Sequence, residues 1–267
     1  MTRAGAIVFV GLVLSSAQAM AQSSVFLEEL TWAEVRDAIQ AGKTTVIIPT
    51  GGTEQNGPHM VLGKHNFIVR YTAGEIARQL GNALVAPVVT YVPEGSVDPP
   101  SGHMRFPGTL TLPQEYFTRI LEFTARSFEA HGFLDVALIG DSGGNQAGQK
   151  AVAEALNKEW ASRRVRVHHV EAYYSANGLG DWLRQQGETP ESIGNHASIS
   201  DTSQLLALYP DGVRRNKLAP GRANDGSRVR GDPTRASVAY GKKGLELKIA
   251  TGVRVIRELR ESSRRSP

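Results

Sequence analysis

The chain has 267 residues, of which 40% are hydrophobic and 21% charged, and its formal net charge is +4. This is an ordinary globular composition, and without repeats or low-complexity blocks there is no reason to expect a second domain. The absence of cysteine excludes disulfides, so stability must come from the core, a metal or oligomerisation. Basic residues are frequent late in the chain but alternate with Glu246, Glu258 and Glu261. We therefore predict a solvated face there and no nucleic-acid partner.

The N-terminus has the three parts of a secretory signal peptide. Arg3 precedes an apolar run from Ala4 to Leu14, and Ala19-Met20-Ala21 matches an A-x-A cleavage site. The apolar run is too short to span a bilayer comfortably. We therefore predict a signal peptide over residues 1–21 and a single domain over residues 22–267. The expected location is periplasmic or secreted, with no stable membrane anchor after cleavage.

Apolar periodicity predicts strands and helices that alternate along the chain. Thr31 begins a helix to about Ala41, because Glu34 three residues later completes a capping box. Further helices are predicted over 68–80, 113–131, 146–160, 204–209 and 234–259, and buried strands over 45–48, 84–92, 134–139 and 165–170. This alternation indicates an α/β fold with a largely parallel sheet that is covered on both faces.

The loop after the first strand carries a cluster of reactive side chains. The strand is expected to stop at Pro49, beyond which several glycines allow tight turns. The loop then presents Glu54, Asn56, His59 and His65. Open α/β sheets bind ligands at the carboxyl ends of their strands, and neighbouring carboxylates and imidazoles suit a divalent metal. We therefore expect a ligand or metal site in this loop.

Two later loops also end predicted strands and carry polar groups. Residues 93–111 are long, rich in proline and glycine, and include Glu94, Asp98 and His103. Loops of this length inside a compact domain are often functional. The third strand ends in G-D-S-G-G-N, residues 140–145. The long loop over residues 93–111 is therefore a candidate functional segment.

Three separated motifs resemble those of the creatininase (creatinine amidohydrolase) family. Glu54 to His59 is similar to its E-Q-H-G-x-H, Gly140 to Asn145 lies where it carries N-G-H-G-G-N, and Asn195 to Ser203 resembles H-A-G-E-x-E-T-S. His103 to Thr109 and Gly231 to Ser237 are supporting matches. The resemblance implies a three-layer α/β/α domain, metal-dependent hydrolysis of C–N bonds in small, often cyclic amides, and a homohexamer.

The sequence departs from the metal ligands that this resemblance implies. Glu54 is retained, but Asn56 stands at the first His position, His65 at the bridging Asp position, and Ser142 at the later His position. Because Asp141 adjoins that last position, a carboxylate and an imidazole have in effect changed places. We therefore predict that Glu54, His65 and Asp141 bind a single divalent ion per chain, Zn, Mn or Fe.

The resemblance also suggests roles for the remaining polar residues. A metal-activated water would attack the scissile carbonyl, while His196 moves protons and Asp201 orients it. Ser142 is placed with these catalytic groups. The residues predicted to contact a small-molecule substrate are Asn56, His59, His103 and Asn145.

Two other interpretations remain open from the sequence. Residues 140–144 fit G-x-S-x-G between a strand and a helix, and Asp181 and His196 follow in the order of an α/β-hydrolase triad. Ser142 would then be the nucleophile of a hydrolase that needs no metal. Alternatively, the substituted ligand positions are typical of a family member that binds a small ligand without catalysis.

Overall fold

A parallel sheet of four strands runs through the part of the chain described by this computed structural model, residues 24–222 and 225–265. The strands are β1 (Thr45–Thr50), β2 (Ala83–Val85), β3 (Asp135–Gly140) and β4 (Arg166–His169). Their order in the sheet is β2-β1-β3-β4, and every pair is parallel. The predicted signal peptide lies outside the described residues.

Helices cover both faces of this sheet. They are α1 (Trp32–Gln40), α2 (Lys64–Leu80), α3 (Gln114–Ala130), α4 (Gly143–Glu159), α5 (Ala172–Ser175), α6 (Leu179–Gln185), α7 (Pro190–Ile193), α8 (Ile199–Leu208) and α9 (Val238–Arg265). Helices α1, α3 and α4 pack on one face, and α2, α5 and α9 pack on the other. The predicted three-layer α/β/α fold is therefore confirmed.

Apolar side chains on both faces of the central strands build the two cores. In β1, Val46 and Ile48 face α3 and α4, whereas Ile47 faces α2 and α9, and all three side chains are fully buried. In β3, Leu138 and Ile139 divide in the same way between the two faces. Burial on both sides explains why these strands read as continuous hydrophobic runs in the sequence.

The first strand is longer than the sequence predicted, because it continues through Pro49 to Thr50. Pro49 pairs with Ile139, and its carbonyl accepts a hydrogen bond from the N–H of Val89 at 2.9 Å. The missing N–H of the proline faces the chain that follows β2, whose regular pairing has already ended at Val85. The proline therefore removes no bond from the strand ladder.

The second strand is shorter than the predicted 84–92. Beyond Val85 the chain makes only an isolated bridge between Thr50 and Val89. Pro87 lies in this stretch, lacks an N–H and cannot extend a ladder. Ala86 and Val92 are buried in this stretch but Tyr91 is 57% exposed, so its apolar composition did not mark a continuous buried strand.

Several helices begin earlier or later than periodicity predicted. Helix α2 begins at Lys64, so His65 lies on its first turn rather than in the preceding loop. Helix α8 begins at Ile199 and α4 at Gly143, both ahead of the predicted starts, whereas α9 begins later, at Val238. Helix α1 and its capping box at Thr31 are as predicted.

The carboxyl ends of β1 and β3 lie side by side, because Thr50 pairs with Gly140. The loops that follow these strands therefore start from the same edge of the sheet and carry Glu54 and Asp141. In the described ranges no helix is long and apolar enough to cross a membrane.

Candidate active site

A cavity of about 610 Å³ opens at this carboxyl edge of the sheet. The loops after β1, β2 and β3 form part of its wall, together with the first turn of α2, the segment before α8, and α9. Its titratable lining includes Glu54, His65, Glu94, His103, Asp141 and His196. Three of the sequence motifs, which are far apart along the chain, therefore meet at one site.

His65 is held between two carboxylates at the floor of the cavity. Its Nδ1 donates to Asp141 Oδ2 at 2.8 Å and its Nε2 donates to Glu54 Oε1 at 2.9 Å. Burial and the nearby Lys64 ammonium lower the pKa of His65, but its hydrogen bonds to Asp141 and Glu54, together with the negative charge of Glu54, raise it above its usual value. The imidazole is therefore a buried cation, and neither ring nitrogen has a lone pair left for a metal.

Two buried lysines pair with the other charges of the floor. Lys64 Nζ lies 3.1 Å from Asp201 Oδ1, and only 1% of the lysine side chain is exposed. Lys248, from α9, forms an ion pair with Asp141 and lies over the ring of Tyr173. Burial raises the pKa of Asp201, but the charges of Lys64 and His65 and the hydrogen bond from Lys64 together hold that pKa well below its usual range. Each of these carboxylates is therefore neutralised from within the protein.

Glu54 and Glu94 form a carboxyl pair beside this network. Burial, and then the hydrogen bond with Glu54 and its charge, raise the pKa of Glu94 to about 10. Burial would also raise the pKa of Glu54, but the hydrogen bond and charge of His65 lower it. Glu94 therefore keeps its proton while Glu54 stays ionised, as expected for two close carboxyl groups.

The open side of Glu54 faces two imidazoles. One potential ligand atom from each of Glu54, His103 and His196 lies within 4.8 Å of the others. Glu54 Oε2 lies 3.3 Å from His103 Nε2, and the two rings are 5.0 Å apart. Burial, followed by the Lys64 charge, lowers the pKa of His196 to about 4, and burial also lowers the pKa of His103. Both rings are therefore neutral at pH 7, as metal ligation requires.

This donor set fits a divalent metal better than the set predicted from the sequence. The predicted ligands Glu54, His65 and Asp141 do meet, but they already bind one another through His65. His103 and His196 instead add two neutral imidazoles to one ionised carboxylate, a donor set that suits Zn, Mn or Fe. His103, which was predicted to contact substrate, thus joins the candidate ligands.

Three residues predicted to contact substrate lie outside the cavity wall. Asn56, His59 and Asn145 are fully buried. Asn56 Nδ2 donates to the carbonyl of Glu54 at 2.9 Å, His59 Nε2 lies 3.0 Å from the hydroxyl of Thr202, and Asn145 Nδ2 donates to backbone and side-chain oxygens near the end of β1. The prediction is corrected: these side chains hold the loops in place, because the polar backbone of a tight loop needs internal partners.

The predicted pairing of His196 with Asp201 is also corrected. Asp201 accepts from the backbone N–H of Ala197 at 2.8 Å and from Lys64, and not from the His196 imidazole. The partner of His196 is Gln55, whose Nε2 lies 2.9 Å from His196 Nε2. Asp201 therefore fixes the backbone that carries His196 rather than the ring itself.

Ser142 does not have the geometry of a serine nucleophile. Its backbone is extended, with φ −117° and ψ 149°, and its Oγ accepts from the N–H of Gly144 at 3.4 Å as the N-cap of α4. A nucleophile elbow requires a strained turn and a nearby base, but within the described ranges no imidazole bonds to this hydroxyl. Asp181, the third member of that triad, is exposed on α6 and pairs with Arg184.

Four further residues of the site were not predicted from the sequence. Lys64 and Gln55 adjoin His65 and Glu54, so closer attention to the motif's neighbours would have found them. Tyr174 and Lys248 lie on α5 and α9 with no local signal, and only the packing of those helices brings them to the cavity.

These observations define an α/β protein with a charged cavity and a candidate metal centre at the carboxyl edge of a parallel sheet. A family model described as creatininase, creatinine amidohydrolase, matches residues 28–256. The chain therefore belongs to the creatininase family, as the sequence motifs predicted.

Relatives and a solved structure agree with this assignment. The chain is 28% identical over 204 residues to a creatinine amidohydrolase of Pseudomonas putida, covering 73% of this chain and 76% of that protein. It is also 28% identical to a mycofactocin precursor peptide peptidase of Mycolicibacterium smegmatis, over 74% of this chain and 78% of that one. A creatininase structure described with Mn superimposes with a TM-score of 0.74 at 23% identity, over 88% of this chain and 98% of that chain. The first relative is thus named as an amidohydrolase and the second as a peptidase.

Proposed function

We propose that the protein is a metal-dependent hydrolase that cleaves a non-peptide C–N bond in a cyclic amide or a similar small molecule. The observation that carries this proposal is the convergence of Glu54, His103 and His196 in the wall of one cavity. Membership of a family whose relatives include an amidohydrolase supports the type of bond.

The three residues would hold one divalent ion, and neighbouring groups orient them. A bound ion would lower the pKa of a water and polarise the scissile carbonyl. His65 donates to Oε1 of Glu54, so the carboxylate is turned with Oε2 toward His103. Such contacts fix the orientation of a ligand before the metal arrives.

The size and chemistry of the cavity support a small polar substrate. Its volume of about 610 Å³ lies in the range of small-molecule sites. Charged groups form the floor, while Tyr174 and Leu179 provide aromatic and aliphatic surface on the wall. A compact ring with polar edges would satisfy both parts.

The test is elemental analysis of the mature protein, purified without chelator or histidine tag, beside three variants. We expect about one Zn, Mn or Fe per chain in the wild type. Glu54→Gln and His103→Asn should lose the metal, whereas Asp141→Asn should retain it if its circular dichroism shows a folded chain. Retention by His103→Asn with loss by Asp141→Asn would return the ligand set to Glu54, His65 and Asp141.

Turnover is then measured on a panel of cyclic amides, lactams and lactones. We expect the wild type to hydrolyse a member of this panel and Glu54→Gln to show no hydrolysis. Wild-type protein stripped of its metal should also be inactive and should regain activity when metal is added back. A wild-type protein that binds no metal after incubation with Zn, Mn or Fe(II) would contradict the proposed function.

A second candidate is a small-ligand-binding protein without catalysis. The observation that favours it is the internal neutralisation of the floor, where His65, Lys64 and Lys248 already compensate Glu54, Asp201 and Asp141. Calorimetric binding of members of the same panel to metal-free protein, without turnover in any metal, would select this function.

A further inference from the structure

The side-chain amide of Gln55 lies between the two candidate imidazole ligands. Its Nε2 is 2.9 Å from Nδ1 of His103 and 2.9 Å from Nε2 of His196. Its Oε1 accepts from the backbone N–H of Gly57 at 3.0 Å. Because a backbone N–H can only donate, this last contact places the NH₂ group of the amide toward both rings.

This orientation determines the tautomer of each neutral ring. An amide NH₂ has two protons and no lone pair to offer, so Nδ1 of His103 and Nε2 of His196 must accept. The proton of each ring then lies on the opposite nitrogen. In His103 that nitrogen is Nε2, which faces Glu54 Oε2 at 3.3 Å.

Metal ligation between Glu54 and His103 would need the other tautomer of His103. The nitrogen of His103 that faces Glu54 must offer a lone pair, which moves the ring proton to Nδ1, opposite Gln55. Two donors would then face each other. Turning the Gln55 amide over exchanges its oxygen and nitrogen with almost no change of shape, and the oxygen can then accept the proton on Nδ1 of His103. The turn gives up the hydrogen bond from the N–H of Gly57, a loss that metal binding has to offset.

We propose that Gln55 is a positioning residue whose amide turns over when a metal binds, so that its oxygen sets the ligating tautomer of His103. This inference rests on the proposed metal centre. It assigns a second orientation to the side-chain amide of Gln55. Its 5% exposure leaves the side chain enclosed by the site, so no bulk water replaces it as the partner of the two rings.

The experiment compares Zn²⁺ affinity in the full mature chain and two variants by competition with a chromophoric chelator at one fixed pH. Gln55→Glu presents only acceptors to the rings and should tighten Zn²⁺ binding. Gln55→Leu presents none and should weaken it, by about 10–100-fold, as for other partners of ligating histidines. Gln186→Leu, an exposed glutamine on the surface, is the matched control and should leave the dissociation constant unchanged.

A second measurement reads the tautomers directly. In ¹⁵N-histidine-labelled protein, the ring nitrogen shifts of His103 should report Nε2–H without Zn²⁺ and Nδ1–H with it. An unchanged tautomer, or wild-type affinity in Gln55→Leu, would overturn this inference alone. A wild type that binds no Zn²⁺ would overturn the metal centre and this inference together.

Discussion

The charged residues of the cavity floor are buried, and each has a hydrogen-bond or ion-pair partner within the protein. Asp141 illustrates this, because His65 donates to one of its oxygens while Lys248 pairs with the other. Taking such groups out of water costs free energy, and only a complete set of partners recovers it. Removing one partner should therefore lower the free energy of unfolding far more than removing a surface charge does.

Replacing Lys248 by methionine tests this at a position whose side chain is only 8% exposed. The variant Lys248→Met leaves Asp141 without its ammonium partner, so we expect the free energy of unfolding to fall by about 3–5 kcal/mol in urea denaturation. Lys243→Met, which removes a surface pair with Glu246, is the control and should change it by less than about 1 kcal/mol. Equal effects in the two variants would show that the buried pair contributes nothing special.

The raised pKa of Glu94 should make the stability of the metal-free protein depend on pH. Because its pKa is raised from 4.5 to about 10, the folded chain keeps a proton that the unfolded chain loses. Glu94 therefore reduces stability increasingly as the pH rises above 4.5. Glu94→Gln is neutral at every pH, so we expect no change near pH 4.5 and a gain of roughly 1–3 kcal/mol at pH 8. Thermal unfolding at the two pH values measures this, and an equal shift at both would refute it.

Among the elements, the crossing of α8 and α9 positions one side of the site. Helix α8 begins just after His196, and α9 carries Lys248. A Cβ added at Gly241 of α9 would lie 1.8 Å from the carbonyl oxygen of Ser203 on α8. The two helices can therefore approach this closely only with glycine at the crossing.

Gly241→Ala should separate these helices and destabilise the protein. The obstacle is backbone rather than a flexible side chain, so we expect a loss of about 1–3 kcal/mol in urea denaturation. Gly180→Ala on α6 is the matched control, since nothing lies within 3.4 Å of its added Cβ. That change should be neutral or stabilise by up to about 1 kcal/mol through helix propensity. Indistinguishable effects would show that the crossing tolerates a side chain.

At the scale of the whole molecule, we propose that this protein forms a homo-oligomer, the hexamer suggested by the motifs. Tyr116, Ile120 and Phe123 are exposed at helical spacing on one face of α3, which is the kind of apolar surface that marks an interface. Light scattering after size exclusion should give a multiple of the chain mass that falls in Phe123→Lys. Trp32→Lys, at an exposed site on α1, should keep the wild-type mass. A monomeric wild type would contradict this proposal.

Export also concerns the molecule as a whole and remains a prediction. Cleavage after Ala21 would make Gln22 the first residue of the mature chain, which intact-mass spectrometry of exported protein detects. Ala21→Arg should block cleavage at that bond, because the position requires a small residue. A full-length mass in the exported wild type would refute the predicted cleavage.

Local sequence patterns were sufficient to predict much of the secondary structure and the layered fold. The β-branched runs and capping signals predicted the strands and helices, because a strand buried on both faces and a capped helix each leave a continuous signature. Polar loops after successive predicted strands indicated a site at the carboxyl edge of the sheet, where the structure has Glu54, His103 and Asp141, since parallel strands end on the same side.

The sequence by itself therefore determined the family and the layered fold. Only the tertiary structure decided which side chain pairs with which. Lys248 reaches Asp141 across 107 residues because α9 packs against the sheet, and Gln55 joins His103 to His196 because three loops meet there. His65 matched a metal ligand by type and spacing, but both of its ring nitrogens are hydrogen-bonded to carboxylates. Such pairings depend on distances between segments remote in sequence, which no local pattern records.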